Sequence, residues 1–301
     1  MNTLREIKSF EEYLQAVRNE LPEGRKYFRG QTKLVSAGYE LKPSIGRYAH
    51  LLDKSFRERG ELERDVLEVF SNHLVTHVQH LPRTDWEALA IAQHHGLPTR
   101  FMDWTTNPLV ALYFAVRETK ADDDGQPMSS AVYVLISDPQ RYTDFSRALQ
   151  PTVKPVKDLA TTPATSGSGY EEFGVEGIEP KTDDEAESNA GAAPEAGERE
   201  EDAARLPRPP SPFEIAENVI YHPPHISPRL RAQDSVLLAC QQPFEALEER
   251  DCLEIIIGHD AHDDIRLRLD QYGVFDRQLF PDLDGIAKWL RYRVFESQGA
   301  L

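Results

Sequence analysis

Cysteine is nearly absent from this chain: Cys240 and Cys252 are the only two in 301 residues. They stand far apart and match no metal-ligand spacing. Cys240 ends an apolar run that starts at Ser235 and reads as a buried strand residue. A reducing, cytoplasmic location fits both thiols. Long apolar runs are missing as well. None approaches the ~20 residues needed to cross a bilayer, and Met1 to Glu6 shows no apolar core of a signal peptide. Positive charge is short: 34 Lys and Arg face 51 Asp and Glu, for a net charge of −17. That balance argues against general affinity for nucleic acid or an anionic membrane. There is no H-E-x-x-H, no P-loop, no G-x-S-x-G and no Rossmann fingerprint, so the chemistries that these motifs carry have no support.

What is present is unevenly distributed. Between Glu171 and Asp202 acidic residues far outnumber Lys181 and Arg199, and this stretch supplies more than half of the net charge. From 157 to 212 apolar periodicity disappears into Ser-Gly, acidic and Pro-rich segments. Such a stretch buries too little apolar surface to offset about 1–2 kcal/mol per residue of backbone ordering entropy. The expectation is one discontinuous α+β domain, 1–156 and 213–301, interrupted by a disordered acidic insert at 157–212. Its central sheet would be mixed or antiparallel, with flanking helices.

Local signals place the elements. Ser9 and Glu12 open a first helix with Phe10, Tyr13, Leu14, Val17 and Leu21 on one face. A brief strand follows at Lys26 to Gln31. A second helix is expected from about Glu61 to Leu81, with Leu67, Phe70, Leu74, Val78 and Leu81 as its core stripe. Thr84 and Glu87 open another, closed by Gly96. Thr99 to Trp104 reads as extended, and Asn107-Pro108 as the N-cap and first residue of a helix through Phe114. Ala131 to Ser137 reads as a central strand. Strands are expected again at Val219 to Tyr221, Ser235 to Cys240 and Leu253 to Gly258. A helix then runs through Ile265, Leu269 and Tyr272, and a last one from Asp282 carries Leu283, Ile286, Leu290 and Val294 inward.

Three segments carry a family pattern. They are Tyr27-Phe28-Arg29-Gly30-Gln31 with Leu41-Lys42-Pro43-Ser44 and Arg47; the run from Ala92 through Gln93-His94-His95-Gly96 and Arg100-Phe101-Met102-Asp103-Trp104 to Ala115; and Arg231-Ala232-Gln233. Together with Leu279 to Gly285 they resemble the FRG domain family, named for Phe-Arg-Gly. The resemblance spans nearly the whole chain outside the acidic insert, and it implies an architecture more than a reaction. The family often places Gly and an aromatic residue soon after the Arg-Ala-Gln unit, where this chain has Ser235 and Val236.

The residues themselves suggest a site. Arg29, at a strand end beside Gly30, can hold a phosphate or carboxylate through paired hydrogen bonds; the alternative is internal pairing with a carboxylate such as Asp103. His94 can serve as acid, base or ligand, or bond the last carbonyls of its helix. The odd spacing of Arg100 and Asp103 puts them on opposite faces of a strand. Asp103 with Thr105 and Thr106 can instead set the turn into the next helix. Trp104 suits the core, or stacking on a base. His73, His77 and His80 recur at helical spacing without a convergent zinc-type set, so no metal is expected. The expected pocket gathers Arg29, Gln31, Arg47, Gln93, Arg100, Asp103 and Arg231 as ligand-binding residues, with His94 and Gln233 as catalytic candidates. Cations and amides suit an anionic, nucleotide-like ligand. The order of parts is loosely similar to that of ADP-ribosyltransferases, which implies NAD or another nucleotide as cofactor; Gln233 falls where those enzymes usually carry Glu. The alternatives are a non-catalytic module sensing a nucleotide or a nucleic-acid end, and a protein-interaction module using the acidic insert.

Overall fold

The computed structural model describes residues 2–78, 81–143, 210–224 and 228–296. Eight strands form one mixed sheet: β1 Asn2–Ile7, β2 Tyr27–Gln31, β3 Phe101–Thr105, β4 Ser130–Leu135, β5 Gln140–Arg141, β6 Val219–Tyr221, β7 Ser235–Ala239 and β8 Cys252–Ile257. Their order is β1-β8-β4-β2-β3-β7-β6-β5. The β1–β8 and β5–β6 pairs are parallel and the rest antiparallel. Strands from both parts of the chain therefore share one sheet.

Local chemistry explains the helices. In α1, Phe10–Asn19, Ser9 caps the first turn by accepting from the Glu12 amide. Glu12 itself accepts from Lys8 N rather than closing a box on Ser9. Thr84 caps α3, Asp85–His94, in the same way. Gly96 ends that helix at φ +85, with Leu97 N returning to Ala92 O, a left-handed stop that glycine adopts without a Cβ penalty. Asn107 caps α4, Pro108–Val116, and Pro108 begins it. This helix is apolar all round because it is buried all round. The remaining helices are α2 Phe56–Leu74, α5 Pro228–Ala232, α6 His262–Gln271, α7 Asp276–Leu279 and α8 Leu283–Arg291.

Alternation along the strands sorts the core. Phe28, Val132, Val134, Ile255 and Ile257 pack with α1, α4 and α6. Tyr27, Met102, Trp104, Tyr133, Val236 and Leu238 form a second cluster. Phe101, Leu237 and Ala239 meet Trp86 and Leu89 of α3 and Leu67 of α2. No helix among the described residues is long and apolar enough to cross a membrane.

Several expectations need correction. The second helix starts at Phe56, capped by Ser55 and Glu58 in a full capping box, and ends at Leu74. Leu81 is therefore exposed rather than core. His73 lies in the last helical turn and His77 beyond it, so the helical spacing behind the histidine triplet does not hold; His80 is outside the described residues. Along α8 and just past it, the stripe Leu283, Ile286, Leu290 and Val294 faces outward. The helix is seated instead through Gly285, which lies against Phe280, and through Trp289, whose Nε1 donates to Asp270. Of the expected insert, 157–209 lies outside the described residues. Pro210, Ser211 and Pro212 are already packed: they bond Trp86 Nε1, Asp85 and Arg100 respectively.

Candidate functional site

The sheet opens in its middle. β2 pairs with β4 through five residue pairs, and β3 with β7 through five. β2 and β3, however, meet only at Phe28 and Thr105. Beyond that pair the two strands part, and a cavity of about 330 Å³ lies there, lined by β2, β3 and β7 and by α3 and α5. The Asp103 carbonyl, on the β3 edge that β2 does not reach, accepts instead from Arg29 Nη1. Arg29 thus replaces a missing rung of the ladder with its side chain.

Six of the expected site residues meet at this opening: Arg29, Gln31, Gln93, His94, Asp103 and Gln233. Gln93 links the helix to the strands, donating to Asp103 Oδ2 at 2.9 Å and accepting from Thr99 Oγ1 at 2.6 Å. The Asp103 carboxylate therefore serves Gln93, and Arg29 takes only its carbonyl. Gln233 is 8% exposed; its Nε2 holds the Leu279 carbonyl at 3.1 Å and its own carbonyl accepts from Thr105.

Three expected residues stand elsewhere. Arg100 is buried and paired with Glu63 of α2 through Nε and Nη2, while Nη1 holds the Pro212 carbonyl. The internal ion pair considered for Arg29 is made by Arg100. Arg47 is exposed, donates to the Glu40 and Lys42 carbonyls, and lies 4.5 Å over the Tyr39 ring. It props the loop that carries Tyr39 to the cavity. Arg231 is exposed and does not line the cavity; Arg229 does. The segment is helical, so residues two apart diverge, whereas Arg229 and Gln233 lie four apart at the same side.

Sequence reasoning missed Arg229, Arg117 and Tyr39, all at the cavity. A helical reading of Pro228–Ala232 finds Arg229 from Gln233. Arg117 follows α4 directly, three residues after Phe114, whose ring it covers at 5.4 Å. No local signal marks Tyr39.

Cations dominate this lining, with Arg29, Arg117 and Arg229 against the single carboxylate of Asp103. Burial pulls the Arg29 guanidinium below its ordinary range, an effect that Asp103 opposes. His94 is half-buried and also held below its ordinary value, by burial and then by His95 and Arg229. It faces the cavity as a neutral imidazole. Both cysteines, in contrast, are buried thiols pushed up to about 12 by burial, too protonated to act as nucleophiles. No group of three or more metal-ligating side chains occurs among the described residues.

Three histidines, His94, His222 and His262, are held below their ordinary value and give a pH dependence; His94 and His262 are the two less exposed. Burial is the main cause for each; His262 is also bonded at Nδ1 by Thr119 and at Nε2 by Ser130. All three stay neutral in the fold while the unfolded chain takes up protons near the ordinary pKa of about 6.5. Their contribution is complete above that value and lost as pH falls from it toward the lowered folded pKa. The urea midpoint should therefore drop between pH 8 and pH 5.5, and a His262→Gln variant should show a shallower drop. An identical pH slope in that variant would count against His262 as a source.

Among the described residues, buried side-chain atoms without a hydrogen-bond partner are Arg29 Nε, Gln31 Oε1, Arg59 Nε, Trp104 Nε1 and Tyr113 Oη. Arg29, Gln31 and Trp104 all line the opening. Buried polar groups are nearly always paired, so their concentration at one cavity asks for an explanation.

No curated protein and no solved structure matches the chain. A family match covers residues 24–124, from the turn before β2 to just past α4, and so includes Arg29, Gln31, Gln93, His94 and Asp103 but stops before Arg229 and Gln233. The family matched over residues 24–124 is the FRG domain.

Proposed function

We propose that the opening between β2 and β3 binds an anionic, nucleotide-like ligand. The observation that carries this reading is the gathering of three unpartnered buried polar groups, on Arg29, Gln31 and Trp104, at one cation-lined cavity. Leaving such a group unpaired costs about 1–3 kcal/mol each, which a ligand offering matching groups would recover. The Arg29 guanidinium suits phosphate oxygens, and the other lining arginines add a field that attracts an anion.

Transfer chemistry on NAD is the second reading, favoured by neutral His94 facing the cavity, where it can accept a proton. Gln233 does not serve as its catalytic partner in this reading, since its amide nitrogen is committed to the Leu279 carbonyl.

Calorimetric titration of the full chain with ADP and NAD tests the first reading. Arg29→Ala should weaken binding about 10–100-fold, the loss of one charge-assisted contact, while lowering stability by only about 1 kcal/mol. Unchanged affinity in that variant would remove the proposal. Release of nicotinamide from NAD, abolished in His94→Ala, would establish the second reading over simple binding.

A further inference from the structure

Gln31 is 3% exposed in the wall of the opening, and the two ends of its amide differ. Nε2 donates to the Tyr39 carbonyl at 3.2 Å, whereas Oε1 has no partner. The surroundings fix that polarity. Turning the amide over would set Oε1 against the Tyr39 carbonyl, two acceptors facing each other. Tyr133, on the neighbouring strand, cannot supply a proton to Oε1, because its only one goes to Glu254 Oε1 at 2.9 Å. The Tyr133 oxygen in turn accepts from Val35 N at 2.9 Å. The other oxygen of the buried Glu254 accepts from Thr3 at 2.9 Å, so both of its oxygens act as acceptors.

These groups form a row by strand register: Thr3 pairs with Glu254, Glu254 with Tyr133, and Tyr133 with Arg29. The row runs across β1, β8 and β4 to the arginine at the opening, with Gln31 two residues further along β2. Its hydrogen bonds all point toward the buried carboxylate. What it leaves for an occupant at Gln31 is an acceptor alone.

We infer that Gln31 determines specificity: the opening selects a phosphate ester that also carries an N–H donor, such as a nucleobase amine or a carboxamide. The phosphate would meet Arg29 and the N–H would meet Gln31 Oε1. This rests on the anion-binding reading above. A buried acceptor discriminates strongly, because a ligand lacking the donor leaves it unpaired.

The test uses the full chain, with ADP as a probe carrying both groups and inorganic pyrophosphate as one carrying charge alone. Gln31→Met, similar in length and without the amide, should weaken ADP by about tenfold, the scale of one lost hydrogen bond, and leave pyrophosphate affinity unchanged. Gln31→Asn withdraws the acceptor by one methylene, and serves as the test where Gln31→Met does not fold. Equal weakening of both probes, or no weakening of ADP, overturns the role of Gln31 while leaving an anion site. If neither probe binds the unaltered chain, both readings fall.

Discussion

Glu63→Ala should lower the unfolding free energy by about 3–5 kcal/mol, read from urea denaturation. The pair it breaks is enclosed, with side chains 6% and 3% exposed for Arg100 and Glu63. Arg100 uses all three nitrogens, two on Glu63 and one on the Pro212 carbonyl, and its guanidinium lies 4.9 Å over the Phe213 ring. Removing the carboxylate leaves a guanidinium that water cannot reach. The large effect comes from that stranded charge, and the pair itself adds little net stability. A double variant, Glu63→Leu with Arg100→Met, should therefore recover most of the loss. A single variant within 1 kcal/mol of the parent, or a double variant as weak as the single, would defeat this account. The contrast with Arg29→Ala is informative, since Arg29 gives up one carbonyl contact at a solvent-reached opening.

Helix boundaries that rest on caps were readable, because Ser9, Thr84, Asn107 and Gly96 act through neighbours in sequence. β1 was not, since its Thr-Leu-Arg-Glu stretch has no clean alternation and buries only Ile7 fully. The first turns of α2 were hidden for a similar reason: Arg-Glu-Arg-Gly-Glu carries no apolar stripe, although the capping box at Ser55 and Glu58 was there to be seen. In α8 an apolar stripe was legible but its direction was not, because a Gly285 contact with Phe280 decides the seating. The site was half legible. Polar groups set among apolar ones pointed to Arg29, Gln31, Gln93, His94, Asp103 and Gln233. The exchange of roles between Arg29 and Arg100 depends on where Glu63 of α2 arrives, and the opening itself depends on which strands fail to pair. Both are tertiary facts without a local signature.

Gly30→Ala should destabilise the fold by about 3 kcal/mol, the upper range for overpacking. Gly30 stands beside Arg29 in the sequence, but its close neighbour is the backbone of α4. A Cβ at position 30 would lie 1.9 Å from the Ala111 carbonyl oxygen and 2.6 Å from Ala115 N. Both are backbone atoms of α4, so no side-chain rotation relieves the contact. α4 cannot retreat easily either, because Val110, Ala111, Leu112, Ala115 and Val116 are all buried in the core. Gly30 is thus the point where β2 and α4 touch, and it fixes the distance between Arg29 on the strand and Arg117 after the helix. Gly96→Ala provides the comparison. Its φ is +85 with nothing within 4 Å of an added Cβ, so only backbone strain applies, about 1 kcal/mol. Unfolding midpoints should fall much further for Gly30→Ala than for Gly96→Ala. A variant at position 30 that keeps the parent midpoint and loses only ligand affinity would reassign the glycine from helix packing to ligand contact.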